Sequence, residues 1–250
     1  RLAMGGYIID DIRGLEVTVY ASAEELAEMG DQPYPGIAPF GSMDPKERVA
    51  LLDQEGLAKA ILYPSLGLTW ECELEDAELH LAYAQAYNRW ICDFCSDSEG
   101  RLIAIAHISL AEPVKAAAEL ERAVREGAKG AFLAPYTLTR VPHAHRDHDA
   151  FWAKAQELDV PVAIHPMAEH PKIRTYQRFN GMRGARWMQN ALGMQGPQQA
   201  FYGLFQWGLF DRFPRIKVIV LESGAGWIGA ALDRMDTTYA TSLGDNVPLK

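Results

Sequence analysis

Apolar and polar positions along this chain change their spacing in blocks. From Ser42 onward, segments with apolar residues at helical intervals, such as MDPKERVALLDQEG, give way to short and nearly continuous apolar runs, such as AKAILYPS. Asp44 and Pro45 supply a helix start and Gly56 its end. The exchange then repeats through a long helix over Asp76 to Cys95, the strand RLIAIAHISL, a helix from Pro113 to Glu126 and the strand KGAFLAPY. It continues through the helix DAFWAKAQEL, the strand VPVAIHP, the helix QQAFYGLFQWGLF, the strand IKVIVLES and the helix GWIGAALDRMD. Strict alternation, with strands apolar on both faces, predicts βαβ units around a buried parallel sheet.

Five strands of this kind can be read from the chain, three short of the eight that close a (β/α)8 barrel. An open doubly wound sheet has the same alternation, but its glycine-rich nucleotide turn is missing: neither G-x-G-x-x-G nor a P-loop occurs. Polar residues stand instead at the C-terminal ends of several strands, namely Ser65, His107, Tyr136, His165 and Glu222. Side chains drawn from many strand ends are the habit of barrels. The expected fold is therefore α/β, a TIM-type barrel in which the first and last strands are not evident. Residues 1–41, with YIIDD, LEVTVY and a run of turn formers, read as an irregular N-terminal cap. Residues 42–250 read as the barrel domain, with a long loop at about 166–196.

Composition narrows the partner. The chain has 250 residues, 48% hydrophobic and 23% charged, enough for a sizeable core. Its formal net charge is -9 with no run of Lys or Arg, which argues against nucleic acid and anionic membrane and for a small-molecule partner. Cys72, Cys92 and Cys95 are odd in number and read as reduced core thiols of a cytoplasmic protein. No signal peptide and no apolar stretch long enough to cross a bilayer are expected.

His165 ends VPVAIHP, where an apolar run meets an imidazole and then a proline. At a barrel mouth such a side chain is placed to ligate a divalent metal or to shuttle a proton; a hydrogen-bonded rim histidine is the structural alternative. Glu222 takes the same place on the next strand, and a carboxylate buried there must meet a cation, a metal or water in a cleft. Arg212, Arg215 and Arg234 are its candidate structural partners. Gly224 and Gly226 suit a tight strand-to-helix turn, with Trp227 starting the helix as a packing residue. His107 is followed by further apolar residues and reads first as structural. His143, His145 and His148 lie in a polar loop before a helix capped by Asp147 or Asp149, and are expected to be solvated. The long loop carries Arg174, Tyr176, Arg178, Phe179 and Trp187, residues that suit a lid over a planar carboxylated substrate, or a dimer contact.

Taken in order, ILYPSLGLTW with AYAQAYNRWICDFC, RLIAIAHISL, FWAKAQELDVPVAIHP and above all DRFPRIKVIVLESGAGWIGAALDRMD resemble the amidohydrolase-related family. That family includes aminocarboxymuconate-semialdehyde decarboxylase and resorcylate-type decarboxylases. The resemblance implies a divalent metal, zinc first and manganese second, held by an H-x-H pair ending the first strand, a histidine ending the fifth and an aspartate ending the eighth. His165 matches the fifth-strand histidine, and Glu222 falls where many relatives carry a sixth-strand histidine. No H-x-H precedes ILYPS, and the chain ends at SLGDNVPLK before a seventh or eighth strand can be read.

The expected function is a metal-dependent decarboxylase or hydrolase of a small aromatic or unsaturated carboxylic acid, working as a homodimer. His165 would be the metal ligand and, with Glu222, the catalytic pair. The alternative is a catalytically silent barrel or binding protein. A metal held by His143, His145 and His165 is a third possibility, which requires their loops to converge.

Overall fold

A computed structural model describes residues 40–64, 67–71, 74–166 and 191–243. The expected N-terminal cap up to residue 39, Ser65, Cys72 and residues 167–190 of the long loop lie outside the described residues.

Helix α1 (Pro45–Gln54) starts where the sequence places it, because the Asp44 carboxylate accepts from the backbone N–H of Lys46 at 2.7 Å and from that of Glu47. Gly56, at φ +69°, turns the chain into strand β1 (Ala60–Leu62). A short helix α2 (Gly67–Trp70) follows, then α3 (Ala77–Ser96), capped by Asp76. Next come β2 (Leu102–Ala104), β3 (Ala106–His107), α4 (Pro113–Arg125) and β4 (Ala131–Leu133). A single 3-10 turn, Arg146–His148, leads into α5 (Asp149–Glu157), and β5 is Val162–Ile164. Helices α6 (Gln195–Gln206) and α7 (Leu209–Arg212), strand β6 (Val218–Val220) and helix α8 (Ile228–Thr238), which runs on into a π-helical turn over Tyr239–Leu243, complete the order.

Among the described residues every strand pairing is parallel, β1 with β2 and then β3 with β4, β5 and β6 in sequence order. Only Ile105 separates β2 from β3, and the bonds Lys129 N–H to Ala104 O and Ala106 N–H to Gly130 O, both 2.9 Å, carry one extended strand through the break. Sequential parallel strands with helical returns form an arc of a (β/α)8 barrel. Gly130 is required by close packing, since a Cβ there would lie 3.1 Å from the Ile105 side chain and from the Pro161 carbonyl oxygen.

Register divides the strand residues between two faces. Leu102, Ala104, Ala106, Ile108, Ala131, Leu133, Val162 and Ile164 join the core packed with Leu120, Phe151 and Trp152 of the outer helices. The opposite face carries Ile61, Tyr63, Ile103, Ile105, His107, Phe132, Ala163 and His165, because alternate residues of a strand share a side and register partners project together. This is the inside of the barrel. It is closed at the centre of the arc, at His107 and Phe132, and open at its edges, where Ile61 is 57% and Ile219 40% exposed. Cys92 and Cys95 are buried free thiols. No helix among the described residues is long and apolar enough to cross a membrane.

Candidate active site at the barrel mouth

His165 is the first residue past β5, buried, and on the inner face. Its Nδ1 lies 2.5 Å from the Pro166 carbonyl oxygen. A carbonyl can only accept, so Nδ1 carries a proton, and in the singly protonated ring the lone pair is on Nε2. That nitrogen lies 3.6 Å from Oε1 of Glu222. The two residues singled out from the sequence are thus brought together at adjacent strand ends.

Glu222 differs from its expected surroundings. Its side chain is 70% exposed, so burial does not oblige it to find a partner, and Arg212 is bound to Asp149 instead. What places Glu222 toward His165 is the backbone: φ is +45° at Glu222 and +62° at Gly224. A glutamate in the left-handed region is uncommon and costs about 1 kcal/mol or more. Trp227 precedes α8 as the packing residue expected, donating from its indole N–H to the Gly224 carbonyl and stacking edge-on against Phe201.

Two rings flank His165. Phe132 meets it edge-on at 5.8 Å between centroids and Tyr63 at 6.1 Å. Burial pushes the Tyr63 phenol above its ordinary range.

Beyond Phe132 lies a second polar group that sequence reading missed. His107 Nε2 is 2.7 Å from Oε2 of Glu71, and His80 Nδ1 is 3.6 Å from Oε1, with all three side chains buried. Burial alone would raise the Glu71 carboxyl, but hydrogen bonds and charge from His107 and His80 hold it at about 2, so it is a carboxylate and His107 donates from Nε2. His80 donates from Nε2 to the Leu74 carbonyl at 3.0 Å, and Glu71 holds it above its usual range despite burial. The backbone of His107 is fixed by Asn88 of α3, which accepts from its N–H at 2.7 Å and donates to its carbonyl at 3.0 Å. Asn88 also donates to Glu119 at 2.7 Å, and Glu119 in turn pairs with Arg122. His107 is structural, as read from the sequence, but as the donor of a buried hydrogen bond to a carboxylate. The detectable signal was a histidine inside an apolar strand, which needs a buried partner.

The loop histidines are not the solvated group expected. His143 and His148 are buried, because His143 donates from Nε2 to the Ala134 carbonyl at 2.8 Å and its own carbonyl accepts from Trp152 Nε1 and His148 Nδ1. His148, rather than Asp147 or Asp149, occupies the cap position of α5. Burial lowers His143 to about 4, leaving it neutral at physiological pH. His145 is turned outward to Asp147 and Trp207. His143, His145 and His165 therefore do not converge, and among the described residues no three His, Cys, Asp or Glu side chains are grouped to hold a metal. What the mouth does offer a metal is a two-donor set, the Nε2 lone pair of His165 and the Glu222 carboxylate.

The family model described as amidohydrolase matches residues 71–244. The gamma-resorcylate decarboxylase of a Polaromonas species is 30% identical over 186 residues, which are 72% of this chain and 55% of that enzyme. This chain therefore spans about half the length of the relative it matches. Among solved structures, an amidohydrolase of Mycobacterium avium subsp. paratuberculosis superposes with a TM-score of 0.73 at 24% identity, over 83% of this chain and 56% of the other. The 5-carboxyvanillate decarboxylase of Novosphingobium aromaticivorans, complexed with manganese and 4-hydroxy-3-methoxy-5-nitrobenzoic acid, superposes with a TM-score of 0.62 at 22% identity, over 80% and 55%.

Proposed function

Because the chain belongs to the amidohydrolase family, we propose that it serves a metal-dependent decarboxylase of a small aromatic carboxylic acid. The observation that carries this reading is the His165 and Glu222 pair, 3.6 Å apart at neighbouring strand ends, with the His165 lone pair set on Nε2. Decarboxylase relatives and a manganese-bound structural neighbour support it.

His165 would be the metal ligand. A divalent ion bound there supplies Lewis acidity, holding and polarising the substrate. Pro166 keeps the imidazole in the ligating tautomer, and Phe132 limits its rotation from the edge. Decarboxylation breaks the bond between ring carbon and carboxylate, leaves the electron pair on the ring, and needs a proton at that carbon. Glu222, exposed to solvent and next to His165, is placed to exchange a proton with water and deliver it.

Zinc is the first metal to test, since an imidazole donor suits it, and manganese, the ion of the structural neighbour, the second. Free buried Cys92 and Cys95 support a reducing, cytoplasmic setting. A homodimer is supported by the exposed apolar residues Leu79, Tyr83 and Trp90 of α3.

One observation favours a second reading, a metal-free binding protein: the described residues supply two donors, and tight catalytic sites use three. Metal analysis of the intact chain separates the two. Stoichiometric zinc or manganese, lost in His165→Ala, supports the enzyme; a chain that takes up no metal, or takes it up equally after substitution, overturns the assignment.

A further inference from the structure

The strongest feature that this reading leaves unused is Tyr63. It follows β1 on the inner face of the barrel, in line with Ile61, and β1 is separated from β5 by the strand formed of β2 and β3 and by β4. Nevertheless its ring reaches to 6.1 Å from the His165 ring, at an interplanar angle of 35°. Tyr63 thus reaches across the mouth to the end of β5. Phe132 stands against His165 at 85°, so the imidazole has aromatic walls from two different strands. The outer-helix core does not include Tyr63, and its side chain is only partly buried.

We infer that Tyr63 is a substrate-binding residue of this mouth, its ring covering a planar aromatic acid and its hydroxyl donating to one of the acid's oxygens. The inference rests on the reading of the mouth as an aromatic-acid site and names the residue that selects for that class. The chemistry is complementary. A free phenol, ordinarily ionising near pH 10, is a neutral donor at physiological pH. The Nδ1 hydrogen of His165 is taken by the Pro166 carbonyl, and the proton assigned to Glu222 is one that passes to the ring carbon. Tyr63 is then the group left to donate a hydrogen bond to an anionic oxygen of the bound acid. Its ring adds flat apolar area, which a planar acid uses and a flexible aliphatic acid of equal charge does not.

The test measures binding, apart from turnover. Salicylate and hexanoate are titrated into the intact chain with manganese present, for the wild type, Tyr63→Phe and Tyr63→Leu. The wild type should bind salicylate in preference to hexanoate. Removing the hydroxyl in Tyr63→Phe should weaken salicylate about tenfold, the loss of one hydrogen bond to a charged group. Removing the ring as well in Tyr63→Leu should abolish the preference over hexanoate. Manganese affinity should be unchanged in both variants, because a loss by general loosening of the mouth would weaken metal and acid together. Salicylate binding that is equal in all three proteins overturns the Tyr63 assignment and leaves the proposed function standing. A wild type that binds no salicylate overturns the aromatic-acid reading and Tyr63 with it.

Discussion

His107 donates from Nε2 to the Glu71 carboxylate across 2.7 Å, and the pair ties β3 to the turn that follows α2. Glu71 accepts from His107 and faces His80 at 3.6 Å, whose Nδ1 is hydrogen-bonded to Ser109 Oγ at 3.1 Å, so the carboxylate charge is compensated inside the fold. Its carboxyl ionises at about 2 in the fold against 4.5 unfolded. The stability this contributes is present above pH 4.5 and lost as pH falls toward 2. Glu71→Gln should cost about 3 kcal/mol at pH 7, measured by urea unfolding, and should flatten the acid limb below pH 4.5. An unchanged acid limb would remove Glu71 from this role.

His143 governs a higher window. Folded, it stays neutral down to about 4, whereas the unfolded imidazole takes a proton from 6.5 downward. The unfolded state binds more protons between those values, so stability falls as pH falls from 6.5 to 4, by up to roughly 3 kcal/mol. His143→Asn should remove most of that slope in a series of melting curves, with the residual slope belonging to His148, which burial also lowers. An identical slope in the variant would contradict the assignment.

Asn88 uses both ends of its amide, and no isosteric residue can do the same. Asn88→Ala leaves the His107 backbone and Glu119 short of partners and should destabilise by about 2–4 kcal/mol. Asn88→Asp should be worse than alanine, because it keeps the acceptor, loses both donor bonds and sets a second carboxylate beside Glu119. Chemical denaturation of the two variants side by side checks the order; an aspartate variant more stable than the alanine one would refute it.

Arg212 clamps the loop that carries His143. Its guanidinium donates to Asp149 at 2.8 Å, to the Ala144 carbonyl at 2.7 Å and to the Gly208 carbonyl at 3.1 Å, and also to the Trp207 carbonyl. A lysine keeps the charge but not the fork. Arg212→Lys should cost about 2 kcal/mol and speed amide exchange in residues 143–149. Exchange unchanged there would show that the loop is held without it.

What could be read from the sequence follows the range over which each feature is determined. Asp44, Gly56 and the apolar runs of the strands act within a few residues, and the described elements fall close to where their spacing puts them. His165 and Glu222 could be paired because strand ends in a parallel barrel share one rim. Glu71 could not be found that way. It sits in a turn with no periodicity of its own, and its partners come from α3 and β3, so only the assembled fold defines its role. His143 and His148 were misread as solvated because their neighbours are polar, while their burial depends on Trp152 and on carbonyls that must be satisfied at the end of β4. The exposure of Glu222 was misjudged for a related reason: an apolar strand predicts burial of its own residues, not of the residue one step past it.

The central claim concerns the mouth at His165, and release of carbon dioxide tests it most directly. Carboxyl-labelled salicylate is incubated with the intact chain plus manganese, with the same mixture after chelation, and with His165→Ala. Label should leave as carbon dioxide only in the first, falling about a hundredfold or more in the other two. Release that persists after chelation and in His165→Ala, or its absence in the metal-loaded wild type, would contradict a metal-dependent decarboxylase site at His165.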